Sequence, residues 1–276
     1  MNVALAKTDT GRALSDAFAA ARERLPGAGK VADLRQQALD AYERVGLPHR
    51  RIEDWKYTDL RVLIREVLPL AAAPDAAALK RAGTALKAAS IKGTRRLVLV
   101  DGAFAPDLSD PGAEKGLSIR PLREALAGGD GALQVQLFAL DNANPMVALN
   151  SAMLTDGVVI EVADGTVLSQ PLHIVHIAAG AAASSMFTRS LLRLGKNAAT
   201  TLVESYIAAD AAKKYQAHDS LVIAIGDHSR LDHVRLVEDA VDAANISSSV
   251  VTLGAHAHFN TFGLTSGAAV SRYQAT

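Results

Sequence analysis

Three imidazoles stand close to glycine-marked corners in the carboxy-terminal half of the chain: His228 in IGDHSR, and His256 and His258 in LGAHAH. His228 and His256 each lie two positions beyond a glycine, Gly226 and Gly254. A fold that stacks these segments would place both rings on adjacent layers, with His258 two residues further along. Neutral imidazoles at that spacing can share a transition metal ion. Asn197 takes the matching place after Gly195, and no carboxylate or third imidazole falls in register. The plainer reading is therefore three solvated corner side chains. The sequence contains no HExxH, no phosphate-cradling GxxxxGK[ST] and no GxSxG, so it assigns no catalytic residue and no cofactor-binding residue, and an enzyme is not expected.

A second chemically dense segment, LPHRRIEDWKYTDLR, runs from Leu47 to Arg61 and carries the single Trp of the chain, Trp55, beside Tyr57. Arg50, Arg51, Glu53, Asp54, Lys56, Asp59 and Arg61 surround the two rings. Rings flanked by arginine can stack on bases or a flavin, or anchor an interface. A Trp at a junction between elements more simply docks that junction onto the fold, with Arg and Lys stems packed alongside. Burial of Trp55 would decide for docking.

Composition narrows the classes. The 276 residues are 49% apolar and 21% charged, an ordinary globular balance. The chain has no Cys, which excludes disulfides, a thiolate nucleophile, zinc fingers and any iron–sulfur cluster held by its own thiolates. Lys plus Arg and Asp plus Glu are 29 each, so neither nucleic acid nor an anionic membrane surface is an expected partner. The amino terminus, MNVALAKTDTGRALSD, meets charge and Thr early, and no segment reaches the roughly 18 apolar residues of a membrane span. The expected compartment is the cytoplasm.

The neutral total conceals an asymmetry. Residues 1 to 100 hold 18 basic against 11 acidic side chains, leaving 11 against 18 for the rest. The first part is rich in Ala, Arg and Leu, and the second holds most of the Val, Ile, Thr, Ser and Gly. This is the change expected of a helical segment followed by a β-rich one. The expected domains are an α-helical amino-terminal domain, 1–92, and a β domain, 93–276. Apolar residues at three- and four-residue spacing predict helices over Thr10–Leu25, stopped by Pro26-Gly27, and over Val31–Val45, stopped by Gly46 and Pro48. Leu97–Val100, Asp101-Gly102 and Phe104 read as a hairpin. A helical insert is expected next, with short helices over Pro121–Leu126 and Met146–Leu154.

From Gly157 onward the pattern is almost entirely strands, and it repeats. Gly195, Gly226 and Gly254 lie 31 and 28 residues apart, with Gly165 lying 30 before the first. Leu194, Ile225 and Leu253 share a register before these glycines, as do Leu192, Ile223 and Val251, and Ser190, Leu221 and Ser249; Val203, Val234 and Phe262 follow them. A strand, a glycine corner, a second strand and a return loop at this period describe one coil of a parallel β-solenoid, in which neighbouring coils bury each other's apolar face. Glycine would suit a corner with positive φ. LGKNAA, IGDHSR and LGAHAH each resemble one hexapeptide of the acyltransferase solenoids. Hexapeptides there follow one another without interruption, so an acyltransferase-like enzyme is the secondary reading.

The segment GLPHRRIEDWKYTDLR resembles the amino-terminal signature of the SufB/SufD family of iron–sulfur cluster assembly proteins. Arg51, Glu53, Trp55, Lys56, Tyr57, Thr58 and Leu60 stand in its R-x-E-x-W-K-Y-T-x-L pattern. LNSAMLTDGVVIEVADGTVLSQPLHIVH and LLRLGKNAATTLVESY resemble the family core, so the likeness runs from about Leu34 to the last residue. It implies a helical amino-terminal domain followed by a right-handed parallel β-helix. It also implies a scaffold role with SufB and the SufC ATPase, in a complex where the iron–sulfur cluster is built and passed on. No cofactor is expected on this chain alone.

Members of the family continue beyond the point matched by Thr276, through further coils that contact SufB and a helical domain that docks SufC. The resemblance therefore implies an amino-terminal fragment or truncated product with an incomplete final coil. The cluster-site histidine proposed for the family falls outside it, and an uncapped solenoid edge leaves room for a homodimer.

Overall fold

The computed structural model describes residues 9–138 and 144–276, with side chains from residue 13 onward. Its elements, in chain order, are helices α1 (Asp9–Ala21), α2 (Lys30–Val45), α3 (Leu60–Leu63) and α4 (Ala76–Ala89); strands β1 (Arg95–Val100), β2 (Ala103–Phe104) and β3 (Leu117–Pro121); and helices α5 (Leu122–Ala127), α6 (Gly131–Phe138) and α7 (Pro145–Met153). Nine strands follow: β4 (Val158–Val162), β5 (Leu172–Ala178), β6 (Ser185–Leu194), β7 (Ala199–Ala208), β8 (Gln216–Ile225), β9 (Arg230–Glu238), β10 (Ala244–Leu253), β11 (His258–Thr265) and β12 (Val270–Ala275).

Local chemistry sets the helix ends. Gly46, at φ 71, ends α2 and donates its N–H to the Tyr42 carbonyl. The Asp75 side chain caps α4 by accepting from the Ala78 N–H, and Asn144 caps α7 by accepting from Met146, with Pro145 in the first turn. Asp101 and Gly102 take φ 49 and 79 between β1 and β2, the two positive-φ positions of the hairpin turn expected there.

The strands form two six-stranded sheets, β11-β9-β7-β5-β1-β2 and β12-β10-β8-β6-β4-β3. Consecutive strands from β4 to β11 alternate between the sheets, so the chain winds through four coils of a parallel β-helix before β12. At one end the antiparallel strands β2 and β3 cover the two sheet edges. The register matches the repeat: Leu192, Ile223 and Val251 pair laterally, as do Val203, Val234 and Phe262.

The corner glycines differ from expectation in their reason. Gly195, Gly226 and Gly254 are absent from the positive-φ residues, and Asn197, His228 and His256, two positions on, adopt φ 54, 57 and 56. What the glycines provide is clearance: a Cβ at Gly226 would lie 2.7 Å from the Gly195 carbonyl carbon, and one at Gly254 would lie 2.7 Å from the Asp227 nitrogen. Coils stacked about 4.8 Å apart leave no room for it. Gly165, at φ 68, donates its N–H to the Lys196 carbonyl just as Asn197 donates to that of Asp227, so it corresponds to Asn197 and not to Gly195.

Helices from both ends of the amino-terminal half cover the sheets. The buried helix α7 packs against β6 and β8, sharing one core with α1, α2, Trp55, Phe187 and Ile246. Helix α4, Ala-rich and not expected from the sequence, lies on the outer face of β1, β5 and β7 over Val175, Ile177 and Ile207. Arg35, buried on α2, donates at 2.9 Å to the Ala152 carbonyl in the last turn of α7, where the helix dipole favours a cation, and at 2.9 Å to the Pro26 carbonyl ahead of α2.

Candidate functional site

Inside the β-helix, side chains alternate between outer face and interior, and the interior divides along each strand. Near the glycine corners it is apolar, filled by Leu172, Ile174, Leu192, Leu194, Leu202, Ile223 and Ile225. Each such fully buried branched side chain contributes roughly 1.5–3 kcal/mol. Further along the same strands the inward positions become polar: His176 on β5, Glu204 and Tyr206 on β7, Asp219 on β8, and His233 and Arg235 on β9.

These side chains form a connected set. Tyr206 donates its hydroxyl to Asp219 Oδ2 at 2.8 Å and lies 3.4 Å from Glu204 Oε1. Thr188 donates to Asp219 Oδ1 at 2.5 Å, and His233 Nε2 lies 2.8 Å from Glu204 Oε2. The His176 ring stacks on Tyr206 with centroids 4.5 Å apart, and the Arg235 guanidinium sits 4.5 Å from the Tyr206 centroid and 4.8 Å from that of Tyr273. Arg235 also donates to Asn245 at 2.9 Å and to Ser247 at 2.5 Å.

Electrostatics separates the two carboxylates. Burial pushes the Asp219 carboxyl up and the nearby Glu204 charge adds to this, opposed by His176 and by the Thr188 and Tyr206 hydroxyls. Burial acts on Glu204 in the same sense, but the hydrogen bond from His233 and the charges of His233, Arg235 and His176 together hold it below its ordinary value. Burial, with Asp219 and Glu204 alongside, raises the Tyr206 phenol well above its ordinary value, so it stays a hydrogen-bond donor.

Among the described residues, one group of three could hold a metal ion: a ring nitrogen of His176 and carboxylate oxygens of Glu204 and Asp219, all within 4.8 Å of one another. The sequence did not single out these residues. Their only signal is parity, since Glu204 and Tyr206 share the phase of the inward Leu202, and parity becomes readable only once the inward face is known.

The imidazoles that the sequence did single out lie outside the coil. The structure brings His228 and His256 together, stacked at 5.0 Å between centroids with 18° between planes. Both are exposed, as is His258, which opens β11 beside Arg230 and joins no stack. No carboxylate joins them in a three-ligand group among the described residues.

The signature segment is divided in the same way. Trp55 is 3% exposed and Leu60 is fully buried, both in the core shared by α1, α2 and α7. A buried Trp55 removes the base-stacking and flavin readings. Tyr57 is 92% exposed, and Arg51, Glu53 and Lys56 are exposed around it, with Thr58 half-buried. Lys56 and Glu53 pair at 2.5 Å on the surface, where such a pair adds little.

Two family descriptions match the chain: "SufBD protein N-terminal region" over residues 12–174, and "SUF system FeS cluster assembly, SufBD core domain" over residues 176–276. The chain is similar to the iron–sulfur cluster assembly protein SufD of Escherichia coli, 28% identical over 204 residues, which are 73% of this chain and 45% of that protein. It is also similar to an iron–sulfur cluster assembly SufBD family protein of Synechocystis, 26% identical over 251 residues, 87% of this chain and 54% of the relative. The chain thus spans about half the length of the curated relatives it matches.

Proposed function

Because the chain belongs to the SufB/SufD family of iron–sulfur cluster assembly proteins, we propose that it is a SufD-like, non-enzymatic scaffold subunit that works with SufB and the SufC ATPase in the cytoplasm. The observation that carries this reading is the match of both family descriptions, over residues 12–174 and 176–276. The chemistry of the chain agrees with a subordinate part in cluster building. With no Cys, this stretch offers a cluster only imidazole and carboxylate donors, which do not fit the usual thiolate set. The cluster is the cargo of the assembly, and its thiolates come from elsewhere in the complex.

The β-helix suits a scaffold. Its coils pair strand to strand along both sheets, which gives a rigid body whose last coil carries exposed Phe262 and Leu264 on β11. An acyltransferase reading has less support, because each coil here holds two strands of 7 to 10 residues from β5 to β11, not a run of consecutive hexapeptides. Among the described residues no helix is long and apolar enough to cross a membrane.

The test is co-purification of this chain, and of the same chain extended to the length of its relatives, with SufB and SufC from one source. Entry of the extended chain into a stable complex is the expected result. Failure of both chains to bind either protein would remove the scaffold reading.

A further inference from the structure

We propose that the polar interior of the β-helix is a binding site for a single divalent first-row transition metal ion, held by His176, Glu204 and Asp219. The site stands on geometry alone and is independent of the scaffold role.

Strands β5 and β7, neighbours in one sheet, and β8 in the facing sheet converge one imidazole and two carboxylates on one interior point, with ligand atoms within 4.8 Å of one another. Movements well under 1 Å would bring all three to the roughly 2.0–2.2 Å of nitrogen and oxygen ligation. One imidazole with two carboxylates is a borderline-hard donor set, suited to iron(II), manganese(II), cobalt(II) or zinc(II), and poor for thiolate-seeking copper(I).

Two further observations point to a ligand. His176 Nε2 is shielded from solvent and has no hydrogen-bond partner, although buried polar nitrogens are almost always paired. Its neighbour in the stack, Tyr206, cannot supply one, because its hydroxyl is directed to Asp219 at 2.8 Å. A cavity of about 20 Å³ also touches His176, with Thr188, Tyr206, Tyr215 and Asp239 in its lining but neither Glu204 nor Asp219; it has room for about one water molecule, which could complete the ligand set beside the imidazole.

The surrounding residues serve as an outer layer. Glu204 is oriented by His233 at 2.8 Å, and Asp219 by Tyr206 at 2.8 Å and Thr188 at 2.5 Å, the arrangement by which ligating carboxylates are usually fixed. Arg235 is a buried cation whose charge acts on Glu204 and opposes a metal charge. It is nevertheless engaged with Asn245 at 2.9 Å and Ser247 at 2.5 Å and lies on the face of Tyr206, so the two carboxylates remain available to the ion.

The probe is cobalt(II), supplied in the growth medium so that the buried site loads as the untagged 276-residue chain folds. After desalting, elemental analysis should find about one cobalt per chain, with visible d–d absorption, since a buried site of three protein ligands holds its ion through exchange. His176→Phe keeps an aromatic ring against Tyr206 and removes both nitrogens; together with Asp219→Asn it should lower the cobalt content at least about tenfold. Far-UV circular dichroism and the thermal midpoint establish that each variant is folded. Replacing both His228 and His256 by Ala should leave the content unchanged. Less than about 0.1 cobalt per wild-type chain overturns the proposal. Full occupancy in folded His176→Phe overturns it as well, as does loss of cobalt on removing His228 and His256, which would place the ion on the surface stack.

Discussion

The Arg272 guanidinium lies 5.0 Å from the centroid of the Trp55 ring and donates from Nη2 to the Asp54 carbonyl at 2.7 Å. This contact closes the amino-terminal signature segment onto β12. Trp55 therefore joins the helices to the strand that follows the fourth coil, a role that exposed, base-stacking aromatics do not have.

Truncating Trp55 to Ala is expected to cost about 3–5 kcal/mol, the range for a buried aromatic, and Arg272→Ala about 1 kcal/mol or less. A double-mutant cycle read by urea denaturation should return a coupling of roughly 0.5–1 kcal/mol. Additive losses would mean that the ring and the guanidinium do not interact in solution.

Gly226→Ala should destabilise by about 2–3 kcal/mol, since its Cβ would meet backbone atoms of the neighbouring coil with nowhere to move. His228→Gly, two residues on, should change stability by less than about 1 kcal/mol, because relief of the left-handed backbone offsets the entropy that glycine adds to the unfolded chain. Thermal midpoints of the two variants decide the matter, and the reverse ranking would refute the clearance argument.

Arg189 lies fully buried on the outer face of β6, donating to the Leu137 carbonyl at 2.6 Å, to Ser151 Oγ at 2.9 Å and to the Val147 carbonyl at 3.3 Å. Burial lowers its pKa to about 9, with the charge of Arg35 contributing. A lysine cannot present the same planar fork, so Arg189→Lys should lose about 2–3 kcal/mol in chemical denaturation. A variant as stable as the parent would mean that the fork is dispensable.

Acid should weaken the fold through two buried imidazoles. His218 is lowered to about 4 by burial, and His173 to about 4 by burial together with the charges of Arg96 and His176, both from 6.5. Between those values the unfolded chain binds more protons than the folded one, so stability rises with pH across the window and is lost as pH falls through it. The combined effect should be on the order of a few kcal/mol. Urea midpoints at pH 4.5 and 7 measure it, and His218→Phe, which preserves the stack on Phe187, should flatten the profile. A parent protein with equal midpoints at both values would contradict the assignment.

The solenoid was readable in the sequence because one glycine per coil and strict alternation mark both the period and the register, down to the Leu192, Ile223 and Val251 row. The reason for the glycines was not, since clearance from a neighbouring coil is a property of stacking and leaves no local trace. Helix α4 escaped notice because its Ala-rich face packs on Val175 and Ile177 with little of the contrast that marks a stripe. The interior polar group was hidden for a related reason. His176, Glu204 and Asp219 are scattered over 43 positions of sequence, and only the coil brings them to one point, whereas His228 and His256 were conspicuous because they repeat beside a glycine.

The four-residue corner recurs unchanged as residues 195–198, 226–229 and 254–257, while the connections across the coil vary as 179–184, 209–215, 239–243 and 266–269. From β6 onward one border of the protein thus acts as a fixed spine, although the first coil uses nine residues, 163–171, between β4 and β5, and the opposite border absorbs differences in length. A sequence can gain or lose residues around Asp210 without disturbing its neighbours, but a single added residue at Lys196 would turn the side chains of β7 to the opposite face before the 209–215 connection could absorb it.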